Sequence, residues 1–332
     1  MTSRIEAVMA LGYTPAQAAF LELAALASGY YLRGQYHEFI QRSSGAMGQV
    51  FIERVLEKRH AECFATFGCR RLYHTNGQAL FRALGDVNNR NRRAHKFATI
   101  RRRLMTLDYC LASPRSAWLL TESEKTHFFL NHGVAQLQLP SEQFGGAVRY
   151  FVDKQPIAVE PDGTATLTFI DGGDKGLSQW ELFLRSHRAL LQQVEKAGIV
   201  FAGSRAERFV GAERIFRTVI TGTVGSGTFD VARLKRYFES RTLFEQRQYS
   251  AFDQLRLDQL REDRRVFSGE KVEGLYERWK DAGDEVLVTV PQSGLAFRTV
   301  LLPDSYEWIS PIYGGERRVR DALDSIANKA RS

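Results

Sequence analysis

Cysteine is scarce in this chain: three among 332 residues, Cys63, Cys69 and Cys110. An odd number at irregular spacing carries no disulfide framework, so stability must come from packing, and a reducing cytoplasm is the matching compartment. Long apolar runs are missing as well. The most apolar stretch, Ala16 to Ala27, is interrupted by Glu22 and falls short of the roughly 20 residues of a membrane helix. The opening MTSRIEAVMALG lacks the basic start and cleavage site of a secretory signal. Neither a GxSxG elbow nor an HExxH helix occurs, and the histidines are scattered rather than clustered as a relaxase-type metal triad requires. Gly222 to Gly227, GTVGSG, has no lysine to make it a phosphate loop and reads as a linker.

What is present is ordinary globular material, 44% hydrophobic and 25% charged, which excludes wholesale disorder and leaves room for about two domains. The net charge of +8 is concentrated in one place. Residues 42–103 hold 14 Lys and Arg against Glu53, Glu57, Glu62 and Asp86, so 14 minus 4 gives +10 and the remainder is slightly acidic. A basic segment of this kind points to a polyanionic partner.

Residues 1–86 predict a winged helix-turn-helix. Thr14-Pro15 is a helix start, and AQAAFLELAALAS runs to Gly29. A short helix over LRGQYHEFI follows, and Ser43-Ser44 precede a third over GAMGQVFIERVLEKR. Two β-rich arms flank Phe67-Gly68 as a hairpin, and Asn76 caps GQALFRALG. In such domains the third helix enters the major groove and the hairpin touches the flanking backbone. The residues assigned to that use are Ser44, Gln49, Arg54 and Lys58 on the helix, with Gln49 and Arg54 reading bases, and Arg70 and Arg71 on the hairpin meeting phosphates. His60, Cys63, Cys69 and His74 invite a zinc reading, but alternation along an unbroken hairpin sends the members of each pair to opposite faces. No metal is expected there.

Residues 87–112 read as an arginine-rich hinge, GDVNNRNRRAHKF, exposed for want of apolar side chains, and then a helix. Phe97, Ile100, Leu104, Leu107 and Leu111 form a seam at helical spacing that packs on the chain's own domain or on a second copy, as a homodimer. Arg92, Arg93, Arg101, Arg102 and Arg103 extend the phosphate clamp. The order of winged helix, RRLYHTN and HKFATIRRRLMTLDYCLASPRSAWLLTESEK resembles winged-helix proteins of bacterial plasmids and integrated mobile elements, and is loosely similar to the replication-relaxation family. The resemblance spans about the first 240 residues and implies DNA binding in mobile-element biology, with a nuclease-like region behind the winged helix.

Residues 113–228 have a different texture. SPRSAWLLTESEKTHFFL reads as helical, VRYFVDKQPIAVEP and TATLTFID as strands, GLSQWELFLRSHRALLQQVEKAG as a helix ending at Gly198, and IVFAG as a buried strand. That is the order of a restriction-endonuclease-like core. Its chemistry needs two strand-borne acids and a lysine around Mg²⁺. Asp162, Asp171 and Lys175 would be those groups, but Asp162-Gly163 has the character of a turn, and Lys175 stands four residues beyond Asp171 instead of two. The core is therefore expected to be degenerate. Residues 229–332 predict a charged helical extension with a small α/β cap, and ERRVRDALDSIANKARS reads as a surface helix. The whole predicts an α+β protein that binds double-stranded DNA without catalysis and without a cofactor, as a regulator or accessory factor. The alternatives are a Mg²⁺-dependent PD-(D/E)XK nuclease and a protein-interaction adaptor.

Overall fold

Ser3 caps a short first helix, α1 (Arg4–Met9), in a computed structural model that describes residues 3–42, 45–174, 176–191, 193–194, 196–221, 231–267, 270–288 and 295–310. Thr14 and Gln17 form a reciprocal capping box with Pro15 in the first turn, so α2 (Pro15–Leu23) begins where the sequence places it. The helix widens into a π turn over Ala24–Ser28 and stops at Gly29, whose φ of +83° closes the end in the left-handed region. Next come β1 (Tyr30–Leu32), α3 (Arg33–Phe39), α4 (Ala46–Glu57), the strands β2 (Ala61–Phe67) and β3 (Arg70–Thr75), and α5 (Gln78–Ala83). The three strands form an antiparallel sheet in the order β1-β3-β2, with Phe67 opposite Arg70 across a turn at Gly68 (φ +60°). Phe20 is fully buried against the rings of Tyr31, Tyr36 and Phe51, one aromatic core for all these helices. Burying each such ring stabilises by about 2–3 kcal/mol.

The connector corrects one expectation, and α6 (Phe97–Leu111) decides between two. Asn91, in the stretch read as exposed, is completely buried. Its amide donates to the carbonyls of Ala25 (3.0 Å) and Leu26 (2.8 Å), and its own carbonyl accepts from His74 Nε2 (2.8 Å). Arg103 Nη1 reaches the next carbonyl, Ala27, at 3.4 Å. The carbonyls left over where α2 widens and ends thus find partners outside the helix. The seam on α6 does not face a second copy. Ile100, Leu104 and Leu107 are fully buried inside the chain, because α6 packs on the first unit by α3, β1 and the π turn and on the central sheet by the strand Ala165–Asp171.

The second unit continues with β4 (Ala117–Leu119), α7 (Glu122–Asn131), a hairpin of β5 (Ser141–Phe144) and β6 (Ala147–Tyr150), then β7 (Ile157–Val159), β8 (Ala165–Asp171), α8 (Ser178–Leu191), β9 (Ala197–Gly203) and α9 (Phe209–Phe216). Charged helices follow, α10 (Val231–Glu245), α11 (Gln254–Val266), α12 (Glu270–Ala282) and α13 (Glu285–Val288), around a small core of Tyr237, Phe238, Phe267 and Tyr276. The chain then returns as β10 (Ala296–Leu301). The sheet runs β10-β9-β8-β7-β4, parallel among β10, β9 and β8 and antiparallel beyond. Alternation along β8 and β9 sends Leu167, Phe169, Ile199 and Phe201 to one core with Trp180 of α8, and Ile170, Val200 and Ala202 to another with α6.

The result is an α+β protein, and several boundaries differ from expectation. The segment read as helical from Ser113 begins with strand β4, since Trp118 pairs with Ala158. Gly198 is not a helix stop but a strand residue between Thr166 and Ala296. The strand expected in a separate C-terminal cap is β10, the edge of the central sheet. The linker at 222–227 and the closing helix lie outside the described residues. Among the described residues, no helix is long and apolar enough to cross a membrane.

Replacing Asn91 strips the buried carbonyls of Ala25 and Leu26 of their donor. Asn91→Ala should destabilise by about 2–4 kcal/mol in urea unfolding with an unchanged m-value. A loss below about 0.5 kcal/mol would show that those carbonyls find other partners.

Candidate nucleic-acid interface

Helix α4 presents Met47, Gln49, Val50, Glu53 and Glu57 to solvent, while Phe51, Ile52 and Val55 face the core. Gln49 lies on the exposed face, where it accepts from Arg33 Nη1 (3.3 Å) and donates to Glu53 (2.7 Å). Arg70 and Arg71, both exposed, follow the hairpin turn. Gln49, Arg33, Arg70 and Arg71 together line one groove of about 700 Å³ between α3, α4 and the hairpin. Its far wall is the segment after β10, including Asp304, Tyr306 and Trp308. The guanidinium of Arg70 lies 4.8 Å from the Trp308 ring, which also meets Phe67 edge-on.

Other residues assigned to this surface are engaged elsewhere. Arg54 is half-buried and donates to Gln17 Oε1 (2.9 Å), so it ties α4 to the start of α2. Lys58 is exposed beside Gly12. Arg92 is a brace: its guanidinium donates to the carbonyls of Val87 (2.6 Å) and Asn76 (3.3 Å). Arg101, Arg102 and Arg103 are all half-buried on α6, where Arg102 passes Gly172 and Arg103 caps Ala27. Arg93 is exposed, but it lines a different cleft. Ser44 lies outside the described residues.

The four residues weighed for zinc do not act together. His60 Nδ1 is 2.7 Å from the Tyr13 hydroxyl, and His74 donates to Asn91. Cys63 and Cys69 are exposed and free. Among the described residues no group of three or more His, Cys, Asp or Glu is placed to hold a metal ion.

The nuclease constellation is not assembled either. Asp162 sits in the exposed turn before β8 and Asp171 ends that strand, so the seven-residue strand separates them by roughly 23 Å. One metal ion cannot be shared across that distance. Asp171 is buried and held by Arg208 Nε at 2.8 Å, and its Oδ1 accepts from the Gly173 amide. Burial nevertheless pushes its carboxyl up, against the pull of that amide and of Arg208. Lys175 lies outside the described residues.

Arg33 and Trp308 are groove residues that sequence reasoning missed. Arg33 stands alone after Tyr-Tyr-Leu, and Trp308 reaches Arg70 only because β10 carries the chain back across the sheet. Beneath the groove, Asp108 is 5% exposed and accepts from Gln35 Nε2 (2.6 Å) and from the Tyr306 hydroxyl (2.5 Å). Burial outweighs both bonds and pushes Asp108 up to about 6.

The folded protein therefore keeps a proton that the unfolded chain, titrating near ~3.9, has lost. From this group, stability is greatest below about pH 4 and declines as pH rises toward 6. Two units correspond to roughly 3 kcal/mol at most. In urea unfolding at pH 4, 5.5 and 7, the wild type should lose about 2–3 kcal/mol relative to Asp108→Asn, and a pH-independent difference would show that Asp108 titrates normally. In comparisons with known proteins, the chain matches no family model, no curated sequence and no solved structure.

Proposed function

We propose that this protein binds double-stranded DNA through the groove between α4 and the β2–β3 hairpin, used as a winged helix-turn-helix. The observation that carries this reading is the meeting of Gln49, Arg33, Arg70 and Arg71 on one exposed groove. In the element order helix, strand, helix, helix, hairpin, α4 takes the place of a recognition helix and the hairpin that of a wing. Gln49 is the base reader, able to pair bidentately with adenine. Arg70 and Arg71 are phosphate contacts, with Arg33 and Lys58 at the margins. Glu53 and Glu57 on α4 bias the helix against close phosphate approach, so backbone contacts fall to the hairpin. Arg70 must leave Trp308 to reach a phosphate, and an exposed cation–π contact of about 0.5–1 kcal/mol is an exchange that a phosphate contact can offset.

The second unit serves this reading as a scaffold of restriction-endonuclease-like layout. The order α6, antiparallel β4-β7-β8, crossover α8 and parallel β9 supports that likeness. The Mg²⁺ nuclease alternative loses the pairing of Asp162 with Asp171 on which it rested. The resemblance to mobile-element proteins suggests the process, as a regulator or accessory factor in a reducing cytoplasm.

Fluorescence anisotropy of a labelled random duplex, without divalent metal and across salt concentrations, tests the reading. Arg70→Ala/Arg71→Ala should weaken all duplexes about equally and flatten the slope of log K against log salt by about 1.8, at ~0.9 per phosphate contact. Gln49→Ala should leave that slope unchanged and reduce discrimination between sites by about 1–3 kcal/mol. An unaltered slope in the double variant would remove the wing assignment. Absence of binding at low salt would put the protein-interaction reading first.

A further inference from the structure

A second basic cleft shares no lining residue with the groove. It has two adjoining chambers, of about 540 Å³ and about 220 Å³. The outer one is lined by Arg90, Arg92, Arg93 and Arg149 with no acid, and the inner one adds Lys125 and Lys154. Arg90, Arg149, Asn88 and Asn89 line both. The walls come from the π turn, the connector, α7 and the segment between β6 and β7, so the cleft forms only where the two units meet.

Lys125 is 4% exposed, and its ammonium donates to the Gln155 carbonyl at 2.6 Å. Lys154 donates to Asn89 Oδ1 (3.1 Å) and Asn91 Oδ1 (3.2 Å). An ammonium carries three donors, and among the described residues neither lysine pairs with a carboxylate. Lys125 is buried and Lys154 half-buried, and a desolvated cation without a direct ion-pair partner is costly. Lys154 is moreover delivered from a tight turn in which it and Phe151 both hold left-handed φ (55° and 50°), strain of a kind that concentrates at ligand sites. Arg90 and Arg149 flank the Phe144 ring at 5.0 and 6.0 Å, so the β5–β6 hairpin holds both guanidinia at the mouth.

We propose that this cleft binds the phosphates of a small oligophosphate-bearing molecule, with Lys125 and Lys154 at its floor and Arg90, Arg93 and Arg149 at its mouth. The outer chamber alone, at about 540 Å³, has the size of a small-molecule site, and several cations against few acids suit an anion of multiple charge. Asp86 and Glu122 also line the inner chamber, where Asp86 accepts from Asn89 and Glu122 from the Tyr150 amide; these bonds do not cancel their charge, so two acids stand against the four cations Arg90, Lys125, Arg149 and Lys154. The site stands apart from the DNA reading and does not depend on it.

Protonation supplies a second readout. Burial, then repulsion from Arg103, Arg90 and Lys125 against the pull of Asp86, lowers Lys154 to about 7. Burial lowers Lys125 to about 8, with Asp153, Cys110 and Glu124 opposing and Arg103 assisting. An arriving anion favours the charged forms, so binding near pH 8 takes up protons.

The experiment is isothermal titration of the full chain with inorganic triphosphate at pH 8, in two buffers of different ionisation enthalpy. The expected results are saturable binding with net proton uptake, and affinity reduced at least tenfold by Lys154→Met and several-fold by Arg149→Ala. Binding should be unaffected by saturating duplex DNA. Arg149 is exposed on the hairpin, so its variant keeps the test decisive if Lys154→Met fails to fold. No binding at millimolar triphosphate and low salt, or equal affinity in the Arg149→Ala variant, would overturn the proposal. Displacement by duplex would overturn it too, by assigning the cleft to the DNA backbone.

Discussion

The capping of one helix end by side chains from another part of the chain is the constraint on which this structure depends. Where α2 widens and ends at Gly29, the carbonyls of Ala25, Leu26 and Ala27 turn toward Asn91 and Arg103. Buried carbonyls need partners, so the connector must run under the helix end and α6 must lie against it. A side chain at Gly29 would meet the Asn91 carbonyl at 2.8 Å, which keeps the approach close. Asn91 also receives Lys154 from the second unit, so one buried amide links the helical core, the connector and the floor of the basic cleft. With α6 fixed, β8 packs on its other side, and the segment after β10 is brought over the hairpin to close the groove.

This arrangement changes the meaning of the basic segment. Net charge alone makes each arginine an equal candidate for a polyanion. In the fold, Arg54 and Arg92 hold the first unit and its connector together, and Arg103 supports a helix terminus, where a cation is favoured by the helix dipole as well as by the hydrogen bond. Arg70 and Arg71 face the groove, and Arg90, Arg93 and Arg149 face the cleft. The positive charge is thus divided among internal bracing, two concavities that gather it, and scattered exposed side chains such as Arg42, Arg59, Arg82 and Lys96.

Local signals in the sequence carried over well into the fold. Thr14-Pro15, the Phe67-Gly68 turn, the α6 periodicity and the alternating run before Asp171 all lie where those patterns place them, because each is decided by neighbours within a few residues. Misreadings came where distant contacts decide. Asn91 looked exposed because polar residues usually are, yet a helix end required a buried amide. The α6 seam was left between the chain's own domain and a second copy, because periodicity does not say what covers it, and packing within the chain decides it. Asp162 was legible, by contrast: Asp162-Gly163 has the character of a turn, and the structure puts it in the turn before β8, a strand's length from Asp171. Arg33 and Trp308 had no local pattern to mark them, and their place in the groove follows from packing alone.

The division of charge can be examined most directly by amide hydrogen exchange of the full chain with and without a saturating random duplex. DNA bound in the groove should slow exchange in α3, α4 and the β2–β3 turn while leaving α6 and the connector at 87–93 unchanged. Protection confined to that connector and α6, or none anywhere, would contradict a groove-based interface and return the basic segment to a purely structural role or a different partner.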